Sequence, residues 1–329
     1  MTQAVLEYLL FLAKTLTLVV AIVFLIGGFV NLSRRQRDAE GLKVTSLNSR
    51  LRNAADGLRH VLLPKAERKK LVKQRKQEAK ALQSEQRKRV FVIDFRGDIR
   101  ASGTSSLREE ISALLAVADE GDEVLVRLEN AGGLVHEHGL AASQLVRIRE
   151  RGIPLTVAVD KVAASGGYLM ACIADRILAA PFAIVGSIGV LAQVPNFRRL
   201  LDEHGITVEQ IRAGRYKRTV NMFGEVADED REKLREELEE VHALFQAMVG
   251  RYRPQLDLQH VATGEYWYGS RALELELVDE VGTSDDWLAR RVNDADVWKL
   301  EWRSHKRLMD KLAATMEESR AGNWLKRRW

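Results

Sequence analysis

The chain has only one cysteine, Cys172, and five prolines among its 329 residues. A single cysteine excludes an internal disulfide and a cluster of thiolate metal ligands. The sequence also lacks a G-x-G-x-x-G or P-loop motif, so nothing in it indicates a nucleotide cofactor. Aromatic residues make up only 6% of the chain. We therefore expect no metal and no cofactor.

One long apolar run stands near the start of the chain. Between Tyr8 and Leu32 the only charged residue is Lys14, and the stretch from Thr15 to Leu32 is uncharged. As a helix this stretch would measure about 27 Å, close to the hydrocarbon thickness of a bilayer. A cleaved signal peptide fits less well, because no basic residue precedes Lys14 and no small-residue cleavage site follows the run. We predict a membrane anchor over residues 1–33.

A basic segment follows this predicted anchor. Residues 34–89 contain 18 Lys and Arg against 6 Asp and Glu, so the rest of the chain is net negative although the whole carries +5. The helix-favouring stretch Lys65 to Arg89 predicts a solvated helical arm that either contacts the anionic surface of a lipid bilayer or serves as a linker. Nucleic acid is a poor partner, since this segment has no aromatic residue for base stacking.

Short apolar runs alternate with amphipathic helical segments after residue 89. The alternation predicts an α/β fold with repeated β/α units around a buried, largely parallel sheet. We expect this domain to cover residues 90–290, followed by a charged tail over residues 291–329. The predicted strands and helices are Val90 to Phe95, Ser106 to Ala118, Val124 to Leu128, Gly139 to Ile148, Pro154 to Val159 and Ser165 to Ala174.

Two helices carry further local signals. Ser106 and Glu109 have the spacing of a capping box, which would start the first predicted helix at that serine. A longer helix is predicted from about Asp228 to Gly250. Its apolar stripe, which we interpret as core, consists of Leu234, Leu238, Val241, Phe245 and Met248.

The most informative run is Ala163 to Tyr168, AASGGY, which lies between an apolar strand and a short apolar helix. This arrangement puts Ser165 at a helix N-terminus, where unpaired N–H groups and the helix dipole would stabilise an oxyanion. An ordinary tight turn uses the same residue types. Ser165 is therefore a candidate nucleophile that needs support from elsewhere in the chain.

A serine nucleophile needs a base, and no histidine stands in a recognisable triad motif. His136 and His138 lie beside a second glycine loop, Glu129 to Gly133, whose N–H groups could approach a substrate. An uncharged lysine can replace histidine if burial or nearby positive charge lowers its pKa. Lys217 lies in a basic turn, and Lys161 precedes the serine by four residues. Spacing alone does not choose between the two lysines.

Several motifs, in order along the chain, resemble the signal peptide peptidase A (protease IV) family. The resemblance extends from about Val90 to Asp286 and rests on Asn130-Ala131-Gly132-Gly133, Ala163 to Tyr168, Gly186 to Val190, Gly214-x-x-Lys217 and Gly264-x-x-x-x-Gly269-x-x-Ala272. It implies that Ser165 is the nucleophile, Lys217 the general base and Ser187 a hydroxyl that orients the lysine. It also implies that the backbone N–H groups of Gly132 and Gly166 form the oxyanion hole.

The same resemblance implies a ClpP/crotonase superfold and a serine endopeptidase that acts on peptides, such as signal-peptide remnants or unfolded exported proteins. It implies a ring-shaped homo-oligomer in the bacterial inner membrane, with each serine paired to the lysine of a neighbouring subunit. Relatives of this kind face the periplasm, whereas five basic residues between Arg34 and Arg50 favour the cytoplasm. A crotonase-like acyl-CoA enzyme and a non-catalytic membrane scaffold are the alternative hypotheses.

Overall fold

The protein is described by a computed structural model. The described residues are 8, 10–20, 22, 41–68, 70, 87–217 and 219–303. Much of the predicted anchor, most of the predicted Lys65 to Arg89 helix and the end of the charged tail lie outside them.

The chain forms two compact units, residues 1–43 with 302–329, and residues 44–301. In the first unit residues 10–20 are helical. Nowhere in the described part of the chain is a helix both long and apolar enough to cross a membrane.

The second unit contains most of the sheet and the helices that cover it. Over the described residues the strands are β1 Gly41–Ser46, β2 Lys88–Gly97, β3 Glu123–Asn130, β4 Leu155–Val159, β5 Val162–Ala164, β6 Arg176–Ala179, β7 Ile184–Gly186, β8 Tyr266–Tyr268, β9 Glu280–Val281 and β10 Ala295–Arg303. The helices are α1 Leu47–Leu62, α2 Thr104–Leu115, α3 Val135–Glu150, α4 Gly166–Ala171, α5 Arg198–Glu203, α6 Asp228–Tyr252, α7 Leu258–Val261, α8 Gly269–Glu274 and α9 Ser284–Asp294.

The main sheet has the order β1-β10-β2-β3-β4-β6-β9. From β10 to β9 every neighbouring pair is parallel. The central strands are rich in Val, Ile and Leu, and side chains such as Val92, Ile93, Leu125 and Val126 are fully buried on both faces. Continuous apolar strands of this kind require cover on both sides, which the helices provide. The predicted α/β fold with repeated β/α units is confirmed.

Three shorter strands branch from this sheet and place the candidate site. β5 pairs in parallel with β3 through Ala163 and Asn130, and β7 pairs in parallel with β5. β8 closes the branch by pairing antiparallel with β7. Parallel strands bring their carboxyl ends to the same edge. The segments that follow β3, β5 and β7 therefore lie side by side.

The predicted capping box is wrong. α2 begins at Thr104, two residues earlier than predicted, and its N-cap is Gly103 without a side-chain cap. The Thr104 hydroxyl donates to the carbonyl of Ala101 instead. Ser106 lies within the first turn of α2. It is therefore not the N-cap residue, which is the position that the motif assigns to the serine.

Part of the predicted basic arm is built into the fold. Asn48, in the first turn of α1, is buried; its amide donates to the carbonyls of Val292 and Ala295 and accepts from the N–H of Val297. β10 follows residue 290 and lies between β1 and β2. Segments on both sides of residues 90–290 thus complete the sheet.

Candidate active site

Three strand ends meet at the candidate site. Gly132 follows β3, Ser165 follows β5 and Ser187 follows β7. The Ser165 N–H donates to the carbonyl of Gly186, at 2.8 Å, which fixes the second and third segments against each other. The structure therefore brings together four of the predicted site residues, the three named here and Gly166.

Ser165 has an unusual backbone conformation. Its φ is 52° and its ψ is −120°, and it immediately precedes α4. A non-glycine residue with positive φ is strained by about 1–3 kcal/mol, and such residues concentrate at functional sites. The Ser165 hydroxyl makes no hydrogen bond to another described residue, so the strained turn presents a hydroxyl without a partner among them.

The glycine loop after β3 packs directly on this turn. A Cβ on Gly132 would fall 2.8 Å from the Cβ of Ser165 and 3.0 Å from the nitrogen of Gly166. Gly132 also has a φ of +91°, which other residues rarely adopt. Glycine is therefore required here both by the backbone and by the close approach of the serine turn.

The N–H groups at this junction differ in their partners. The Gly132 N–H donates to Oδ1 of Asn130 at 2.9 Å. The N–H groups of Gly133 and Gly166 have no hydrogen-bond partner among the described residues. The assignment of Gly132 to the oxyanion hole stays a prediction. In this conformation the Gly133 N–H is the one in the loop that has no hydrogen-bond partner among the described residues.

A cavity of about 300 Å³ opens beside Ser165. Its walls are mainly apolar and come from the glycine loop, α3, α4 and α6. Val241, Phe245 and Met248 of α6 belong to this wall, so their interpretation as core alone is wrong. The other apolar side chains are Val135, Ala142, Leu169, Val190 and Leu244. A cavity of this kind fits an apolar side chain next to the serine.

Ser187 also has positive φ, 52°. Its N–H donates to the carbonyl of Glu265, and its hydroxyl lies 3.4 Å from the carbonyl of Gly264. The loop before β8 thus holds Ser187 at the edge of the site. In the described part of the chain its hydroxyl contacts no lysine.

The two candidate lysines lie in different surroundings. Lys161 is 67% exposed, and its ammonium group pairs with Glu129 at 3.0 Å. Lys217 is exposed in the segment between β7 and α6, where its N–H donates to the carbonyl of Gly214. Its side chain makes no hydrogen bond or ion pair with another described residue, and it does not line the cavity. The single chain therefore does not join Ser165 to either lysine.

The lone cysteine is not a competing nucleophile. Cys172 is fully buried at the end of α4, and burial raises the pKa of its thiol to about 12. At neutral pH such a thiol is protonated and therefore a weak nucleophile.

Two family models account for most of the sequence. Peptidase family S49 N-terminal matches residues 3–145, and Peptidase family S49 matches residues 147–298. A relative named Probable protease SohB from Haemophilus influenzae is 43% identical over 327 residues, which cover 95% of this chain and 93% of that protein. This chain belongs to peptidase family S49. The predicted relationship to the signal peptide peptidase A family is confirmed, and the family shows that this chain is a peptidase.

Other relatives and solved structures are similar to this S49 peptidase. Probable protease SohB from Buchnera aphidicola subsp. Acyrthosiphon pisum is 42% identical and covers 98% of this chain and 96% of its own length. The 1510-N membrane-bound stomatin-specific protease, solved with a substrate peptide, covers 70% of this chain and 99% of its own, with 14% identity and a TM-score of 0.45. The ClpP protease catalytic domain of Plasmodium falciparum covers 59% of this chain and 85% of its own, with 10% identity and a TM-score of 0.38.

The sequence-based prediction missed two features of the candidate site of this S49 peptidase. It gave no role to His138, which is buried and lines the cavity beside Ser165. It also left α6 out of the site. The position of His138 one turn into α3, directly after the glycine loop, was a usable signal, since the first turn of a helix after such a loop faces the same edge of the sheet.

Proposed function

We propose that this S49 peptidase is a serine endopeptidase in which Ser165 is the nucleophile and Lys217 the general base. One observation carries the proposal: Ser165 stands on a strained turn and lines an apolar cavity together with Gly133 and Gly166, whose N–H groups have no hydrogen-bond partner among the described residues. Nucleophile, oxyanion donors and a binding cavity are the parts that acyl transfer requires.

The reaction would proceed through an acyl-enzyme. Lys217, uncharged, takes the hydroxyl proton as the Ser165 oxygen bonds to the peptide carbonyl carbon, and the carbonyl oxygen becomes an oxyanion that the loop and Gly166 N–H groups stabilise. The C–N bond then breaks, and protonated Lys217 gives its proton to the leaving amine. Water, deprotonated by the lysine, releases the acyl group. Ser187 would hold the lysine amine in place, as the family resemblance implies.

The lysine would come from a neighbouring subunit of a ring. Support comes from Lys217 itself, which is exposed and unpaired with any described residue. The chain also exposes large apolar side chains, among them Phe182, Leu191 and Ile211, which are 85%, 82% and 95% exposed. Exposed apolar surface on this scale is typical of interfaces. A head-to-tail contact repeated around a closed ring would cover it.

The substrates we propose are peptides with apolar side chains, such as signal-peptide remnants or unfolded exported proteins. The apolar cavity supports this class, because a polar side chain would lose its hydration there without a partner. The uncharged run from Thr15 to Leu32 supports a single-pass anchor in the bacterial inner membrane. A C-terminal reporter fusion, alkaline phosphatase against green fluorescent protein, decides which side the catalytic domain faces.

Replacement of the nucleophile tests the proposed function. Ser165→Ala should lower peptidase activity by more than about 10³-fold, because the acyl-enzyme can no longer form. The protein should fold normally, since alanine keeps the turn's size. The measurement is turnover of a fluorogenic peptide with an apolar residue before the scissile bond, together with labelling by a fluorophosphonate probe. Near-normal turnover by Ser165→Ala, or probe labelling at another residue, would refute the assignment.

A further inference from the structure

His138 lies between the two halves of the proposed oxyanion hole. It stands in the first turn of α3 and is 0% exposed. Its imidazole packs so closely on Gly166 that a Cβ there would fall 2.5 Å from the ring. The same ring lines the cavity beside Ser165. One buried imidazole therefore touches the serine turn directly.

The ring also reaches the glycine loop, through Asn130. His138 Nε2 lies 3.2 Å from Oδ1 of Asn130, and this oxygen also accepts the Gly132 N–H at 2.9 Å. Asn130 is 1% exposed, and its Nδ2 faces the sulfur of Met170 at 3.4 Å. The side-chain amide thus connects the imidazole to the backbone of the loop.

The hydrogen-bonding partners define what each atom does. The Gly132 N–H can only donate, so it fixes Oδ1 as the atom of Asn130 that faces the loop. His138 Nε2 faces the same acceptor and donates to it in the tautomer that carries the proton on Nε2. Nδ1 lies 3.0 Å from the carbonyl of Leu134, but a neutral imidazole donates to only one of these two acceptors. In the Nε2–H tautomer the imidazole is a hydrogen-bond donor to Asn130 and not a base for the serine.

We propose that His138 is a positioning residue for the oxyanion hole. It donates a hydrogen bond to Asn130, which also accepts the Gly132 N–H, and its ring packs on Gly166. The inference rests on the proposed function, because it names what holds the N–H donors of that site. With Oδ1 held by two donors, the amide cannot rotate, and the loop keeps its distance from the serine turn. Gly133, the next residue, then keeps its place in the wall of the cavity that Gly166 also lines.

Loss of the hydrogen bond between His138 and Asn130 should weaken stabilisation of the transition state more than it weakens substrate binding. Without a donor at position 138, Oδ1 of Asn130 is held only by the Gly132 N–H, so the amide and the loop that it contacts are free to shift relative to the serine turn. Displacement of catalytic groups by about 1 Å costs about 10²-fold in rate. The cavity walls that bind the substrate come mostly from other residues, so KM should change little.

The test compares His138→Leu, which removes the N–H donor at similar volume, with His138→Gln, which restores an N–H donor. His136→Leu is the matched control, because His136 lies on the same helix and its side chain is 77% exposed. Full-length protein in detergent is assayed for the rate of fluorophosphonate labelling, a readout that needs no known substrate, and for kcat and KM with the fluorogenic peptide. Thermal unfolding is followed for each variant.

We expect His138→Leu to lower the labelling rate and kcat by about 10- to 100-fold, with KM within about 3-fold of the wild-type value. His138→Gln should recover most of the loss, and His136→Leu should match the wild type. Asn130→Ala should cause a similar loss, and combining it with His138→Leu should add little, since both act through one unit.

A folded His138→Leu protein with wild-type labelling rate and kcat overturns the inference. If that variant does not fold, Asn130→Ala decides, since it leaves the imidazole in place: a normal labelling rate overturns the inference and a slow one supports it. Failure of the proposed function looks different. In that case wild-type protein is not labelled at Ser165, or Ser165→Ala retains turnover.

Discussion

Ser165 and Ser187 share a backbone conformation that serine rarely adopts. Both have a φ of 52°, and both directly follow short parallel strands of the branch. Strain of about 1–3 kcal/mol at each position has to be offset by the surrounding structure. The paired strands β5 and β7 do this. The two hydroxyl groups are thereby held at fixed positions at one edge of the sheet.

The choice between the two lysines is a prediction at the same scale. Lys217→Ala should be as inactive as Ser165→Ala, and the double variant should be no worse, because members of one catalytic unit are not additive. Lys161→Ala should retain most activity, because an exposed ion pair such as Lys161 with Glu129 contributes about 0–1 kcal/mol. Initial rates of the variants with the fluorogenic peptide decide which lysine is the base. The reverse pattern would make Lys161 the base.

At the scale of elements, three strands are joined by one cluster of charges. Asp94 of β2 accepts hydrogen bonds from Arg127 of β3, at 2.6 and 2.8 Å, and pairs with Lys299 of β10 at 2.6 Å. Burial opposes ionisation of Asp94, but the hydrogen bonds from the two cations outweigh it, so its pKa lies below the ordinary value. The cluster therefore stabilises the sheet across β10, β2 and β3.

Asp94→Asn should lower the free energy of unfolding by about 1–2 kcal/mol at neutral pH, because two partly buried cations lose their counter-charge. The pKa of Asp94 is lower in the folded than in the unfolded chain. Its contribution is therefore complete above the unfolded pKa, about 3.9, and is lost as the pH falls through the folded pKa. Urea unfolding at neutral and at acidic pH measures this.

The difference between wild type and Asp94→Asn should shrink as the pH falls below about 4. Glu120→Gln, in the exposed loop before β3, is the control and should change stability by less than about 0.5 kcal/mol. A difference that stays constant with pH would mean that the carboxylate charge contributes nothing and that only the shape of Asp94 matters.

At the scale of the whole molecule, the segment between β7 and α6 separates the two members of the proposed dyad. It contains one short helix, α5, and most of its residues are exposed. Lys217 lies exposed in this segment and does not line the cavity at Ser165 of its own chain. An assembly that supplies a second copy of the segment to each site would resolve the separation.

Mixed assemblies test this arrangement. Ser165→Ala and Lys217→Ala subunits, co-expressed in equal amounts, should regain up to about a quarter of the wild-type activity, because one in four neighbour contacts in a randomly ordered ring pairs an intact serine with an intact lysine. The measurement is turnover by purified mixed oligomers, whose composition is verified with two affinity tags. Each variant alone is the control. No regain in verified mixtures, or a fully active monomer, would place the dyad within one chain.

The sequence was sufficient for the central strands, for two of the longer helices and for the serine turn. Strands β2, β3 and β4 and helices α3 and α6 appear within a few residues of their predicted bounds, because apolar periodicity depends on which residues are buried. The sequence-based prediction was wrong at Ser106, because the capping motif lies inside a helix. It also did not reveal that Asn48 and β10 complete the sheet, since their local patterns resemble a charged arm and a tail.

What the amino-acid sequence determined by itself is the series of β/α units and the glycine-flanked Ser165. Only the tertiary structure decided which residues meet there. Periodicity predicts that Val241 and Phe245 face inward but not whether they face the core or a cavity, and nothing local links His138 to Gly166. Those contacts depend on how strands and helices pack, which brings residues far apart in the chain within a few ångströms of one another.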